Sequence, residues 1–205
     1  MVIGDAAVGK TSIIKQAISH GFSDVHMPTT GVDFYLRKYV VKDKLALVQL
    51  WDIAGQDRFG SIYRVFYQHA LGAVVVFDVT DQDTMLNALK WKRQVDAKCS
   101  LPNGEPLPVW LCANKCDLPH EVNLAGMDDF CKDNGFQGWS ATSAKTGENV
   151  DSSLKSLVEN ILSHGDIFEV KAAADAEVAA ETVSIEGTAG GAGGEEGAPG
   201  DGKCC

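Results

Sequence analysis

Short apolar runs of four to eight residues alternate, along residues 1–163, with longer segments whose apolar positions recur every three or four residues. The runs are too short for buried helices, and their alternation with helix-period segments is the pattern of parallel strands joined by crossover helices. It predicts strands over residues 1–4, 33–41, 45–52, 73–79, 109–114 and 138–142, and helices over 10–19, 60–69, 82–98, 124–133 and 149–163. Only Lys42-Asp43-Lys44 separates the second strand from the third. So short a link closes a hairpin, while parallel neighbours need a crossover of a dozen residues or more. The expected fold is α/β: a six-stranded, mostly parallel sheet with one antiparallel strand and five flanking helices.

The pattern stops near His164. Residues 166–205 are rich in Ala, Glu, Gly and Thr, with no aromatic beyond Phe168. Such a segment buries too little apolar surface to offset its ordering entropy, so it is expected to be disordered, with a short helix over 170–180 as the alternative. The chain thus divides into a domain over 1–165 and a tail over 166–205. The tail carries nine acidic and two basic residues, a net −7 of the chain's −10, and leaves the domain nearly balanced. No basic stripe with interleaved aromatics is present, which argues against a nucleic-acid partner. There is neither an apolar run long enough to span a bilayer nor a leader pattern at the start, so a cytosolic or nuclear protein is expected. Cys99, Cys112, Cys116 and Cys131 read as buried thiols, and Cys204-Cys205 as a separate signal.

Gly4-Asp5-Ala6-Ala7-Val8-Gly9-Lys10-Thr11 has the form G-x-x-x-x-G-K-[ST] between a predicted strand and a predicted helix. In that setting glycines let the backbone curl, and the N–H groups of Ala7 through Ser12 can turn toward a β-phosphate at the helix N-terminus. Lys10 would reach the β- and γ-phosphates, and the Thr11 hydroxyl would ligate Mg²⁺. Farther along, Asn114-Lys115-Cys116-Asp117 closes a strand at the edge where open α/β sheets bind ligands. The Asp117 carboxylate can accept both N1–H and the exocyclic amine of guanine, whereas adenine offers neither donor there. Ser143-Ala144-Lys145, after the last strand, can present a backbone N–H to the guanine oxygen. Trp51-Asp52-Ile53-Ala54-Gly55-Gln56 ends another strand. Asp52 is the natural partner of the Mg²⁺ shell, Gly55 can give its N–H to the γ-phosphate, and Gln56 can orient the attacking water. Thr29 supplies a second hydroxyl for the metal when a γ-phosphate is present.

Taken together, these motifs resemble the small Ras-type GTPases, and their details resemble the Rab family, from Met1 to about Leu162. Rab-like features are Gly31-Val32-Asp33-Phe34, Arg58-Phe59 after Gln56, the aromatic trio Phe34, Trp51 and Phe66, and the terminal Cys204-Cys205. Ile53, Trp91-Lys92, Leu101-Pro102-Asn103-Gly104 and Gly138-Trp139 are similar to the branch associated with lysosome-related organelles. The resemblance implies a P-loop GTPase fold, Mg²⁺ with GTP or GDP, Phe22 edge-on to the guanine, and catalysis through Gln56 and Lys10. It implies an effector surface of Thr30, Gly31, Phe34, Trp51 and Phe66. The partners implied are an exchange factor, a GTPase-activating protein, effectors, a prenylation escort and a dissociation inhibitor. Lipidation at Cys204 and Cys205 would hold a monomer at the cytoplasmic face of endomembranes.

Against the family pattern, the first strand is short, with only Met1-Val2-Ile3 ahead of the phosphate loop, which implies an upstream start or a fragile fold. Ala6-Ala7 stand where glycine is frequent, Thr30 replaces a usual isoleucine, and His26 stands where a tyrosine is common. The function expected is a GTP-binding switch with slow hydrolysis. A pseudo-GTPase scaffold that no longer cycles is the alternative, and an adenine nucleotide kinase is disfavoured by Asp117.

Overall fold

Ala73–Asp78 is apolar but for its last residue, and its six positions are all buried, as a strand with neighbours on both edges and cover on both faces must be. In the computed structural model, which describes residues 1–24, 28, 29, 31–54, 67, 69–120 and 122–164, this segment lies inside a six-stranded sheet. The elements run β1 (Val2–Gly4), α1 (Lys10–Ser19), β2 (Val32–Val41), β3 (Lys44–Ile53), β4 (Ala73–Asp78), α2 (Gln82–Lys98), β5 (Val109–Asn114), α3 (Met127–Asp133), β6 (Gly138–Thr142) and α4 (Val150–Ser163). The sheet order is β2-β3-β1-β4-β5-β6, parallel throughout except for the β2–β3 hairpin.

Two apolar clusters sandwich the sheet. One joins Ile3, Val75, Phe77 and Leu111 to Trp91 of α2 and to Cys131 and Phe136 around α3. The other joins Val2, Val74 and Val76 to Ile13 and Ile14 of α1 and Leu154 and Leu157 of α4. Alternate residues of β1 therefore serve opposite cores. Its three residues are buried, it pairs with both β3 and β4, and the Val74 N–H donates to the Met1 carbonyl at 2.9 Å. All three residues of β1 pair with β4, and Val2 pairs with Asp52 of β3 as well.

The expected strands agree with the observed ones to within a residue at each end. The helix expected from 124 starts instead at Met127. Leu124 and Ala125 are held in a turn by the Asn123 side chain, which accepts from the Ala125 N–H at 2.9 Å, and Gly126 at φ 86° opens the helix. Four helices are present among the described residues; the one expected over 60–69 lies almost wholly outside them, as does the tail. One cysteine expectation needs correction: Cys99, Cys112 and Cys131 are buried free thiols, but Cys116 is only half-buried, because it sits in the loop beyond β5. Burial pushes the Cys112 thiol up to about 12.

Gly4 is where β1 turns into the phosphate loop. Its φ is 146°, and a β-carbon there would stand 2.2 Å from the Val76 carbonyl oxygen, inside the adjacent strand's backbone. Gly4→Ala is therefore expected to lower the unfolding free energy by about 2 kcal/mol or more. Urea denaturation compared with the parent chain checks it, and an unchanged midpoint would refute the close approach.

Candidate functional site

The phosphate loop leaves β1 and enters α1 through Gly9, whose φ of 97° places it in left-handed backbone at the helix start. Ala7 is also left-handed, at φ 62°. The first turn of α1 holds no acidic residue, which leaves the positive end of the helix dipole free for an anion. Lys10 is buried, and its ammonium donates to the Asp5 carbonyl at 2.7 Å. Burial pushes Lys10 down to about 8, against upward pulls from Asp52 and Asp5.

The Asp5 side chain points away from the loop. Its carboxylate accepts from Asn87 Nδ2 at 2.6 Å and Trp91 Nε1 at 2.8 Å, both on α2. The motif leaves this position unspecified, so the sequence gives no signal for this tether; only the fold brings residues 5, 87 and 91 together.

At the foot of the loop three oxygen-bearing side chains converge. The Thr11 hydroxyl donates to Asp52 Oδ2 at 2.5 Å and lies 2.7 Å from the Thr29 hydroxyl, which itself stands 3.3 Å from Asp52 Oδ2. Asp52 is fully buried at the end of β3, and its Oδ1 has no hydrogen-bond partner among the described residues. Burial pushes its carboxyl above the usual carboxylate range, while the Thr11 and Thr29 hydroxyls and Lys10 pull it back. A buried carboxylate with one orphan oxygen beside two hydroxyls is a hard-oxygen donor set, and it fits Mg²⁺ better than any softer metal.

On the other side of the loop, Asn114 ends β5 with its side chain buried. Its Nδ2 donates to the Val8 carbonyl at 2.8 Å, and its Oδ1 accepts from the Ala144 N–H at 3.1 Å. Asn114 therefore ties the phosphate loop to the loop after β6. Lys115, at φ 67°, pairs through its ammonium with Asp78 Oδ2 at 2.5 Å. Asp117 is exposed, and its Oδ1 accepts from the buried Ser143 hydroxyl at 2.6 Å; that hydroxyl in turn accepts from the Thr146 N–H at 3.1 Å. Ser143 thus holds Asp117 from behind.

Lys10, Thr11, Thr29, Asn114, Lys115 and Asp117 border one cleft of about 510 Å³, the size of an ordinary small-molecule site, while the buried Asp52 stands behind its wall. Of the residues expected to bind nucleotide, Ala7, Gly9, Lys10, Thr11, Ser12, Phe22, Thr29, Asn114, Lys115, Asp117, Ala144 and Lys145 line it. Val8 and Ser143 do not: both side chains are buried behind the wall, where they support the lining. Lys15, Asp24 and Leu118 also line the cleft and were not expected; Leu118 follows Asp117 directly and leaves an apolar surface exposed beside it. Of the expected effector surface, Gly31 and Phe34 are exposed and Trp51 is half-buried, with the Phe34 and Trp51 rings 5.5 Å apart. Gly55, Gln56, His26, Thr30, Phe66, Cys204 and Cys205 lie outside the described residues.

Residues 1–163 match the model of the Ras family. The chain is similar to the Ras-related protein Rab-32 of Mus musculus, 50% identical over 172 residues, covering 82% of this chain and 77% of the relative. It is 45% identical over 164 residues to the Ras-related protein Rab-7L1 of Homo sapiens, covering 79% and 81%. It is 46% identical over 167 residues to the Ras-related protein Rab-32A of Dictyostelium discoideum, covering 79% and 76%.

Asn114→Ala would leave the Val8 carbonyl and the Ala144 N–H without partners. Losing the tie between the two loops is expected to weaken GDP binding at least about 30-fold, the equivalent of about 2 kcal/mol. Calorimetry measures it, and an affinity within about twofold of the parent would show the tie to be dispensable.

Proposed function

The chain belongs to the Ras family as a Rab-type small GTPase of membrane trafficking, and we propose on that footing that it works as a membrane-bound switch. It holds GTP or GDP with Mg²⁺, hydrolyses GTP slowly by itself, and recruits effectors while GTP is bound. The observation that carries this reading is the shared cleft, in which the phosphate loop and the Asp117 carboxylate face one space and Asn114 bonds to both walls.

In this reading, the triphosphate lies along the backbone of Ala7 through Ser12 with Lys10 drawn to its β- and γ-phosphates, and the base enters between Phe22 and Leu118 against Asp117. Thr11, Thr29 and Asp52 would hold the Mg²⁺, which neutralises charge on the phosphates when bound. Thr29 belongs to the segment 28–34, and its need for the metal and the γ-phosphate makes that segment nucleotide-sensitive. Gln56 orients the attacking water, Gly55 gives its N–H to the γ-phosphate, and an arginine from an activating protein supplies the charge that this cleft lacks. Ala7 adds a methyl group beside the phosphates at a left-handed position that favours glycine, which supports slow hydrolysis. The nucleotide-dependent surface is formed by Thr30, Gly31, Phe34, Trp51 and Phe66.

Among the described residues no helix is long and apolar enough to cross a membrane. Cys204-Cys205 supplies attachment instead: two lipid chains hold a protein stably where one does so only marginally. Exchange factor, activating protein, prenylation escort and dissociation inhibitor are the partners this cycle requires. The location is the cytoplasmic face of endosomal or lysosome-related membranes.

Two measurements test the switch. Calorimetry with Mg²⁺ is expected to show GDP bound at least about 10⁴-fold more tightly than ADP, because adenine leaves the Asp117 carboxylate without donors. Equal affinities, or a purified chain that takes up no guanine nucleotide, would end the proposal. Single-turnover hydrolysis by the chain alone should proceed on the order of 10⁻⁴ per second, and a rate near one per second would contradict the need for an outside arginine.

A further inference from the structure

Nine large apolar side chains are exposed among the described residues, and five of them, Phe34, Leu36, Val40, Leu45 and Leu47, belong to β2 and β3. The antiparallel register sets Phe34 opposite Trp51, Lys38 opposite Leu47 and Val40 opposite Leu45. Side chains two residues apart share a face of a strand, so all five stand on one side of the hairpin. The other side is covered, with Tyr39, Val41 and Leu50 buried in the cluster of α1 and α4. Phe34, next to the cleft, is part of the surface assigned to effectors. The distal group of Leu36, Val40, Leu45 and Leu47 is between 54% and 66% exposed, more apolar surface than a solvated strand face normally keeps together.

Charge marks this patch further. Lys38, Lys42 and Lys44 are exposed around it, and none of the three forms an ion pair among the described residues. Residues 36–47 hold four basic residues and one acid, in a chain of net charge −10. The turn itself is tight, with Lys42 at φ 46° and Asp43 at φ 63°, a left-handed pair that matches the twist of a two-residue hairpin.

The position of the patch indicates what covers it. β3 is parallel to β1 and carries Asp52 to the cleft at its far end, so the turn at Lys42-Asp43 lies at the opposite edge of the sheet. α4 starts beyond the cleft-lining Lys145 and ends at that same opposite edge. There His164 Nε2 lies 3.7 Å from Glu105, in the segment leading into β5, and Ile161 packs beside Gly72, just ahead of β4. The described residues therefore end, at His164, on the edge that carries the lysine turn, and the sequence continues from there to Cys204-Cys205.

We propose that the distal face of the β2–β3 hairpin, with its rim of Lys38, Lys42 and Lys44, docks on an anionic membrane leaflet and turns the nucleotide cleft away from the bilayer. The proposal deepens the membrane-bound reading above. The four apolar side chains enter the headgroup boundary, and the lysines meet acidic headgroups. The acidic tail provides no such attraction, so the hairpin is the element that makes a lipid-tethered domain lie down.

The test uses the full chain with both terminal cysteines unmodified, so that its result is independent of lipidation. Co-sedimentation is measured with phosphatidylcholine vesicles and with vesicles containing about 30 mol% phosphatidylserine, at low ionic strength. Partition is expected to be roughly 100-fold stronger onto the anionic vesicles and to fall with salt. Lys42→Gln with Lys44→Gln should reduce it about 30-fold, and Leu45→Gln with Leu47→Gln about tenfold or more, with GDP affinity retained as the sign of an intact domain. Equal partition onto both vesicle types, or either double variant binding like the parent, would overturn the proposal. So would a dimer in sedimentation velocity that Leu45→Gln with Leu47→Gln dissolves, since the face would then belong to a second copy. Failure of the anchor itself is read separately, as unmodified Cys204 and Cys205 in the mass spectrum of chain from a eukaryotic cell.

Discussion

The cleft depends on one amide. Asn114 donates to the Val8 carbonyl and accepts from the Ala144 N–H, so a single buried side chain sets the distance between the two walls of the cleft. Its closeness dictates the sequence around it. A β-carbon on Gly9 would stand 2.3 Å from Asn114 Nδ2, so the second glycine of the phosphate loop is required by the amide as well as by its own left-handed backbone. In a buried setting each half of this bridge is costly to lose, because neither the carbonyl nor the N–H finds water in its place.

Much of this architecture is legible in the chain. β4 and β5 read as strands because apolar runs of that length, flanked by turn residues, have no other stable burial. The hairpin reads from the short Lys42-Asp43-Lys44 link in the sequence, and the cleft from motifs that fall at strand ends. Three features escape for physical reasons. The start of α3 depends on an Asn123 turn that competes with helix, a choice of a few residues that periodicity cannot resolve. The tether from Asp5 to Asn87 and Trp91 links positions more than eighty residues apart in sequence. Val8 and Ser143 belong to the motifs yet stand behind the cleft wall, because a motif specifies which residues gather without saying which of them face the ligand.

Charge is partitioned as sharply as apolar surface. Lys10 and Asp52 are buried close enough to act on each other's protonation, and each is also held by hydrogen bonds, Lys10 by the Asp5 carbonyl and Asp52 by two threonines. Elsewhere the buried Lys92 is neutralised within α2 by Asp96 at 2.6 Å, and Arg37 reaches from β2 to Asp151 of α4. At the hairpin turn, the end of the sheet remote from the cleft, Lys38, Lys42 and Lys44 are exposed with no ion pair among the described residues.

The Asp5 tether gives α2 a hold on the phosphate loop from outside the cleft. Its indole and amide grip the loop's carboxylate, while the backbone carbonyl of the same residue receives the Lys10 ammonium. A partner pressing on α2 would therefore act on that loop without entering the cleft, and because Asn114 ties the loop to the one after β6, the push would reach both walls at once.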